Sequence, residues 1–354
     1  FIFMGIMLEK TKIAAGLLQS IGELFGSTKG GLGIGVVIVG MLLAASTGIV
    51  GATVVTMGML SLPSMIKAGY DQKIATGTIC AAGTLGQIIP PSIVLVLLAT
   101  ILQGANEEAA MLKGDLAPDP VTAIDLFAGA LLPGLMLVVM FIIFIYFYAR
   151  IFPNSCPPIK TDKSRSEIYK EAFKSIFPPL ILIILVLGSI LMGVATPTES
   201  ASVGAIGAAI IAFTKGELTF QNLKEVSLNT VKLSSFVFVI LIGASMFSLV
   251  FRGFNGDAMI EHFLGSLPGG LFTALLIVMI AIFILGFFLD WLEITLIVLP
   301  VFTPLVAGLD FGDHLPKEDI KFWFIIYISS THLIPNQTNL MFDQLSCNKY
   351  RCLN

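Results

Sequence analysis

Apolar residues run through this chain in stretches of about 18 to 28, longer than a soluble core needs and long enough for a helix to cross a bilayer. Four are nearly unbroken: "AGALLPGLMLVVMFIIFIYFYA" (128–149), "IFPPLILIILVLGSILMG" (176–193), "VKLSSFVFVILIGASMFSLVF" (231–251) and "GLFTALLIVMIAIFILGFFL" (270–289). Polar residues collect between the stretches, so the pattern predicts an all-α polytopic membrane protein. Three apolar stretches carry a polar interruption: "AASTGIVGA" (44–52), "GTLGQIIPPSI" (83–93) and "FFLDWLEIT" (287–295).

These interruptions are the chemically informative segments. Proline removes a main-chain donor and clashes with the preceding turn, so Pro90 and Pro91 break the helix that Gly83 and Gly86 already weaken. Carbonyl groups released at this depth need partners, because an unsatisfied group in lipid costs several kcal/mol. A cation is one such partner, with the hydroxyl of Thr84 as a further oxygen; a proline kink in a packing helix is the other reading. In the first interruption, Ser46, Thr47 and Gly48 fit the tip of a re-entrant hairpin, with small residues, hydroxyls and open carbonyls. One intervening helix separates that tip from residues 83–86, so the two can meet. Oxygen donors of this kind suit sodium or a similar cation, while close packing of small residues is the alternative; the residues leave proton coupling through Asp290 or Glu199 equally open. In the third interruption Asp290 holds the place of the hairpin tip and marks a second ion or substrate region, since ionisable residues inside membranes are costly. Glu293 faces an aqueous cavity or a partner helix. Glu199 reads differently: in "VATPTESASVGA" Thr196 is an N-cap, Pro197 the first helical residue and Glu199 the third, a capping box.

Charge refines the topology more than the class. Only 12% of residues are charged against 56% hydrophobic, and the net charge is -3; soluble domains carry about 25% charged residues. Arg150, Lys160, Lys163, Arg165, Lys170 and Lys174 crowd the loop 150–175, which the positive-inside rule assigns to the cytoplasm. The acidic "QGANEEAAMLKGDLAPDP" falls on the opposite side, and "MIKAGYDQK" returns to the cytoplasm. Cys80, Cys156, Cys347 and Cys352 show neither metal spacing nor a disulfide framework. His262, His314 and His332 form no HExxH, and "GGLGIG" lacks the spacing of a dinucleotide loop, so an enzyme is not expected. Nothing points to nucleic acid or to a cofactor other than a coupling ion.

The chain also repeats itself. "GG" at 30–31 recurs at 269–270, and "AGYD" at 68–71 recurs as "AGLD" at 307–310, both at a spacing of 239 residues. The first copy is flanked by lysines and the second is more acidic, which predicts opposite orientations, as in transporters built from inverted repeats with interrupted helices. The expected organisation is a first transport half at 1–101, connecting and scaffold helices at 102–230, a second transport half at 231–328 and an atypical tail at 329–354.

Together "FIFMGIMLEKTKIA", "LLAASTGIVGATVVTMGMLSLPSM", "AAGTLGQIIPPSIVLVLL", "GVATPTESASVGA" and "LGFFLDWLEITLIVLPVFTPLVAGLD" resemble the large membrane subunit of tripartite ATP-independent periplasmic (TRAP) transporters, of the mannitol/chloroaromatic or dicarboxylate-type branch. The likeness runs from residue 1 to about 325. It implies a multi-pass protein of the bacterial inner membrane that imports an organic acid with sodium by an elevator-like movement. It also implies a small membrane subunit and a periplasmic solute-binding protein as partners. By the same resemblance, one sodium site takes Ser46, Thr47, Gly48, Gly83, Thr84 and Gly86, and a second takes Leu289 and Asp290 with a later proline-pair helix. That later helix has no counterpart here, since "YISSTHLIPNQTNLMFDQLSCNKYRCLN" follows "KFWFII"; a frameshifted or degraded end is the expectation. "FIFMGIML" opens mid-helix without a start methionine, so an N-terminal piece is expected to be missing. The alternatives are a single-component dicarboxylate elevator transporter and a truncated, non-functional permease fragment. A membrane-embedded hydrolase or a structural subunit is a more distant alternative.

Overall fold

The structure is a computed structural model and describes residues 1–10, 13–26, 28–47, 50–112, 120–158, 164–265, 270–286, 289 and 294–298. Among them no strand occurs. The helices are α1 (Ile2–Lys10), α2 (Ile13–Phe25), α3 (Gly31–Thr47), α4 (Val50–Lys67), α5 (Gln72–Thr84), α6 (Ile93–Leu112), α7 (Ala123–Ile151), α8 (Arg165–Leu191), α9 (Pro197–Thr214), α10 (Phe220–Gly253), α11 (Gly256–Gly265) and α12 (Gly270–Leu285). A 3-10 turn, Leu85–Gln87, follows α5, and a π-helical turn, Ile294–Val298, lies past the third interruption.

Residues 123–151, 166–191 and 220–253 form helices long and apolar enough to cross a membrane. Leu132 and Phe144 on α7, Ile184 on α8 and Leu249 on α10 are exposed, the outward apolar surface that a bilayer covers. The protein is therefore all-α and membrane-embedded, as the hydropathy pattern predicts. The tail from 329 onward and both Asp290 and Glu293 lie outside the described residues.

The helices form two compact units. One comprises residues 1–93 and 131–231, and the other takes 94–130 and the residues from 232 onward that the structure describes. In the second unit Val94, Ala244 and Leu296 form a buried cluster, with Ile101 and Leu241 packed against it. The π-helical turn is thereby fixed between α6 and α10.

In the first unit, α3 and α4 pack as an antiparallel pair whose two outer ends meet a single loop. The main-chain N–H of Gly30, just before α3, donates to the Cys156 carbonyl at 3.1 Å. The N–H of Asp71, just after α4, donates to the Ser155 carbonyl at 3.0 Å. Both ends of the pair therefore lie on the face that carries the loop after α7. With 17 and 18 residues at 1.5 Å each, the arms reach about 26 Å inward, less than the ~30 Å hydrocarbon layer. Two antiparallel arms of that length match the re-entrant hairpin that the sequence predicts; residues 48 and 49, which join them, lie outside the described residues.

The turn that sends the chain back inward is locally encoded. Gly69 adopts φ 85°, which an L side chain resists. This lets the N–H of Tyr70 donate to the Met65 carbonyl at 3.0 Å and close α4. Asp71 then caps α5, its carboxylate accepting from the Lys73 N–H at 2.9 Å.

Candidate functional site

The site is built where α5 ends against the hairpin. A Cβ placed on Gly83 would lie 2.4 Å from Val54 Cγ2 and 3.0 Å from Val54 Cα, so α4 and α5 touch there backbone to backbone. Val54 stands one helical turn beyond Val50, where α4 begins. Across the hairpin, a Cβ on Gly40 would lie 2.8 Å from the Ala82 carbonyl oxygen. The sequence places small residues at these contacts, and they draw the end of α5 into the hairpin. The 3-10 turn that follows packs against α3 and α4. Gly83 thus has a packing duty that the oxygen-ligand reading did not assign to it.

From the Asp71 cap, the 13 residues of α5 rise about 20 Å to the buried break at 85–87. Here the main chain leaves its regular pairing. The Leu85 carbonyl accepts from two N–H groups, Ile88 at 3.1 Å and Ile89 at 3.0 Å. The next two carbonyls, of Gly86 and Gln87, accept no main-chain N–H among the described residues, and the residues at their helical i+4 spacing, 90 and 91, are prolines with no N–H to donate. Thr84 is buried and its hydroxyl donates to the Ala81 carbonyl at 2.9 Å, which leaves the oxygen lone pairs open. Gln87 is 1% exposed, and neither its Oε1 nor its Nε2 has a hydrogen-bond partner.

The predicted first group therefore divides. Gly83, Thr84 and Gly86 converge on one buried turn beside the hairpin. Ser46 and Thr47 are the last residues of α3, and Gly48 lies outside the described residues. Of the second group, Leu289 is half-buried and donates its N–H to the Leu285 carbonyl at 2.9 Å, while Asp290 lies outside the described residues. The residue that sequence reasoning missed is Gln87. Its signal was present, a lone amide between two glycines and two prolines in an otherwise apolar run, yet only the fold shows that it has no partner.

Glu199 behaves as the capping-box spacing predicts. Its carboxylate accepts from the Thr196 N–H at 2.8 Å and from the Thr196 hydroxyl at 2.9 Å. Its own N–H donates to Thr196 Oγ1 at 3.3 Å. The Thr196 N–H, and then its hydroxyl, hold the exposed Glu199 carboxyl below its ordinary range. The residue is a helix cap. A separate cavity of about 510 Å³ lies between α3, α5 and α7, from Lys73 and Tyr148 inward to Ala81. Ile74, Phe141 and Phe144 make its walls, and Lys73 supplies its only charge. Beyond that ammonium, Thr78 and Tyr148 are the hydroxyl-bearing residues in an otherwise apolar lining.

Comparison with known proteins places these features in context. Residues 1–333 match the DctM component of the tripartite ATP-independent periplasmic transporters. The chain is 31% identical to the C4-dicarboxylate TRAP transporter large permease protein DctM of Pseudomonas aeruginosa, over 87% of this chain and 68% of that protein. It is 29% identical to the protein of the same description from Rhodobacter capsulatus, over 87% of this chain and 69% of that one. A sialic acid TRAP transporter permease protein, SiaT of Haemophilus influenzae, is 25% identical over 86% of this chain and 46% of its own length.

Proposed function

The chain belongs to the DctM family, the large permease component of TRAP transporters, and we propose that it couples the inward movement of sodium to the import of an organic acid. As a member of that family it is a multi-pass inner-membrane transport protein, and its relatives are named as transporters, not as enzymes. The observation that carries the sodium reading is the turn at 85–87. Two carbonyls without main-chain donors, the lone pairs of Thr84 and the Gln87 amide oxygen belong to this one buried stretch, and α3, α4 and α5 carry no carboxylate. Unwound carbonyls of this kind coordinate cations in secondary transporters. Ser46, Thr47, Gly48, Gly83, Thr84 and Gly86 form the first site in this reading, and Leu289 and Asp290 belong to the second.

The carried solute is an organic anion, with C4-dicarboxylates the first class to test because several relatives bear that description. A small membrane subunit completes the membrane complex, and a periplasmic binding protein delivers the acid. Proteoliposomes test the whole proposal: the chain reconstituted with its small subunit takes up labelled succinate only with an inward sodium gradient and added binding protein. Uptake driven by a proton gradient in sodium-free buffer would refute the coupling. Uptake without a binding protein would favour the single-component alternative.

A further inference from the structure

Gln87 is left over from the ligand set that the family resemblance supplies. Buried polar side chains without a partner are rare, and each one implies a missing ligand, water or function. Gln87 has two such atoms, Oε1 and Nε2. Among the described residues the other unpartnered buried side-chain atom, Ser61 Oγ, lies in the body of α4. Beside Gln87 the surroundings are specific. Its own carbonyl and that of Gly86 have lost their helical donors to Pro91 and Pro90. Three oxygens from two consecutive residues are thus open to one small guest.

The nearby titratable groups narrow what that guest is. On α3, α4 and α5 the only ones are Lys67, Lys73 and Cys80, with no Asp, Glu or His. Lys67 and Lys73 lie at the outer ends of their helices, and Glu9 of α1 is engaged by the Thr56 hydroxyl of α4. α7 meets Ile88 and Ile89 at Gly134; it carries Asp125 and Arg150 near its two ends and Tyr146 and Tyr148 close to the latter. α6 holds Glu107 and Glu108 toward its far end. Among the described residues, α3, α4 and α5 offer a proton at the turn no carboxylate or imidazole, and a carboxamide oxygen serves only as a neutral acceptor. A metal cation finds neutral oxygens.

We propose that Gln87 is a direct ligand of the coupling cation through Oε1, and that its neutrality makes this site selective for sodium over a proton. Nε2 donates to a water that the ion retains, which satisfies both ends of the amide at once. The inference rests on the sodium-coupled reading above and adds the residue that sets ion identity.

The test uses the purified complex of this chain with its small subunit, with sodium chloride titrated against choline chloride at constant ionic strength and the unfolding midpoint as readout. Wild type is stabilised by sodium, with an affinity that does not change between about pH 5 and 8 through this residue. Gln87→Leu removes the unpartnered atoms, so it unfolds at the same or a higher temperature without sodium, while its sodium affinity falls at least about tenfold. Gln87→Glu keeps an oxygen and gains a titratable one, so its sodium affinity weakens as pH falls and the carboxyl takes up a proton. Wild-type sodium affinity in the leucine variant, or a flat pH profile in the glutamate variant, overturns the proposal. If the leucine variant does not assemble, the pH profile of the glutamate variant decides. A wild-type complex that ignores sodium overturns the coupling reading and this proposal together, a failure visible before any variant is made.

Discussion

At Gly83 a single hydrogen atom sets how closely α4 and α5 approach. Gly83→Ala pushes a methyl group into Val54, and overpacking of this kind costs about 1–3 kcal/mol. Val54→Ala removes the nearer obstacle but leaves the Val54 Cα at 3.0 Å, so the double variant should recover only part of the loss in thermal unfolding. Complete recovery would mean that the backbones are not in contact. Thr196 and Glu199 make a second residue-scale case. Thr196→Ala should cost about 1 kcal/mol through the lost cap, with no effect on sodium affinity because the pair stands apart from the turn at 85–87. The Glu199 carboxyl titrates below its ordinary value of 4.5, so its contribution is fully present above that pH and fades as pH falls through the lower, folded value. Glu199→Gln keeps a capping residue without a titratable proton. The stability gap between wild type and this variant should therefore narrow on acidification below 4.5 and stay constant above it, as read by unfolding midpoints across pH.

At the scale of elements, the spans and caps were legible because they depend on neighbours in sequence. The apolar runs at 128–149, 176–193 and 231–251 became α7, α8 and α10, and the Thr196–Glu199 spacing became a closed capping box. The break after Thr84 was legible too, since two prolines cannot continue a helix. What the sequence left open was the worth of that break, which turns on tertiary facts: how Gly83 and Gly40 draw it into the hairpin, and whether Gln87 finds a partner. The packing role of Gly83 does not conflict with the ligand proposal, because close approach is what buries the turn. If the prolines act by withholding donors, then Pro90→Ala with Pro91→Ala should restore N–H groups to the Gly86 and Gln87 carbonyls and let α5 run on. Sodium-free stability should then rise or hold while stabilisation by sodium falls at least about tenfold in affinity, since the freed oxygens are consumed. An unchanged sodium response would show that these carbonyls are not ligands.

For the whole molecule, orientation is the property on which the direction of transport depends. The hairpin α3–α4, the start of α5 and the end of α7 share one face through the hydrogen bonds of Gly30 and Asp71 to the loop after α7. Arg150, Lys170 and Lys174 flank that loop, so the positive-inside rule assigns this face to the cytoplasm. α8 then runs for 27 residues, about 40 Å, from the basic side to Gly193, more than the hydrocarbon thickness even with tilt. Asn154, exposed before α8, and Val194, 78% exposed after it, must consequently lie on opposite sides. In a background with Cys347 and Cys352 replaced by serine, the native Cys80 and Cys156 stay buried and silent to label. A membrane-impermeant maleimide added to intact spheroplasts should modify Val194→Cys and spare Asn154→Cys, and inverted vesicles should reverse the result. This outcome would open the hairpin's base to the cytoplasm, so an ion held near its tip has crossed most of the bilayer from the periplasmic side. Labelling of both positions from one side would mean that α8 does not cross, and the hairpin could then no longer be assigned to the cytoplasmic face.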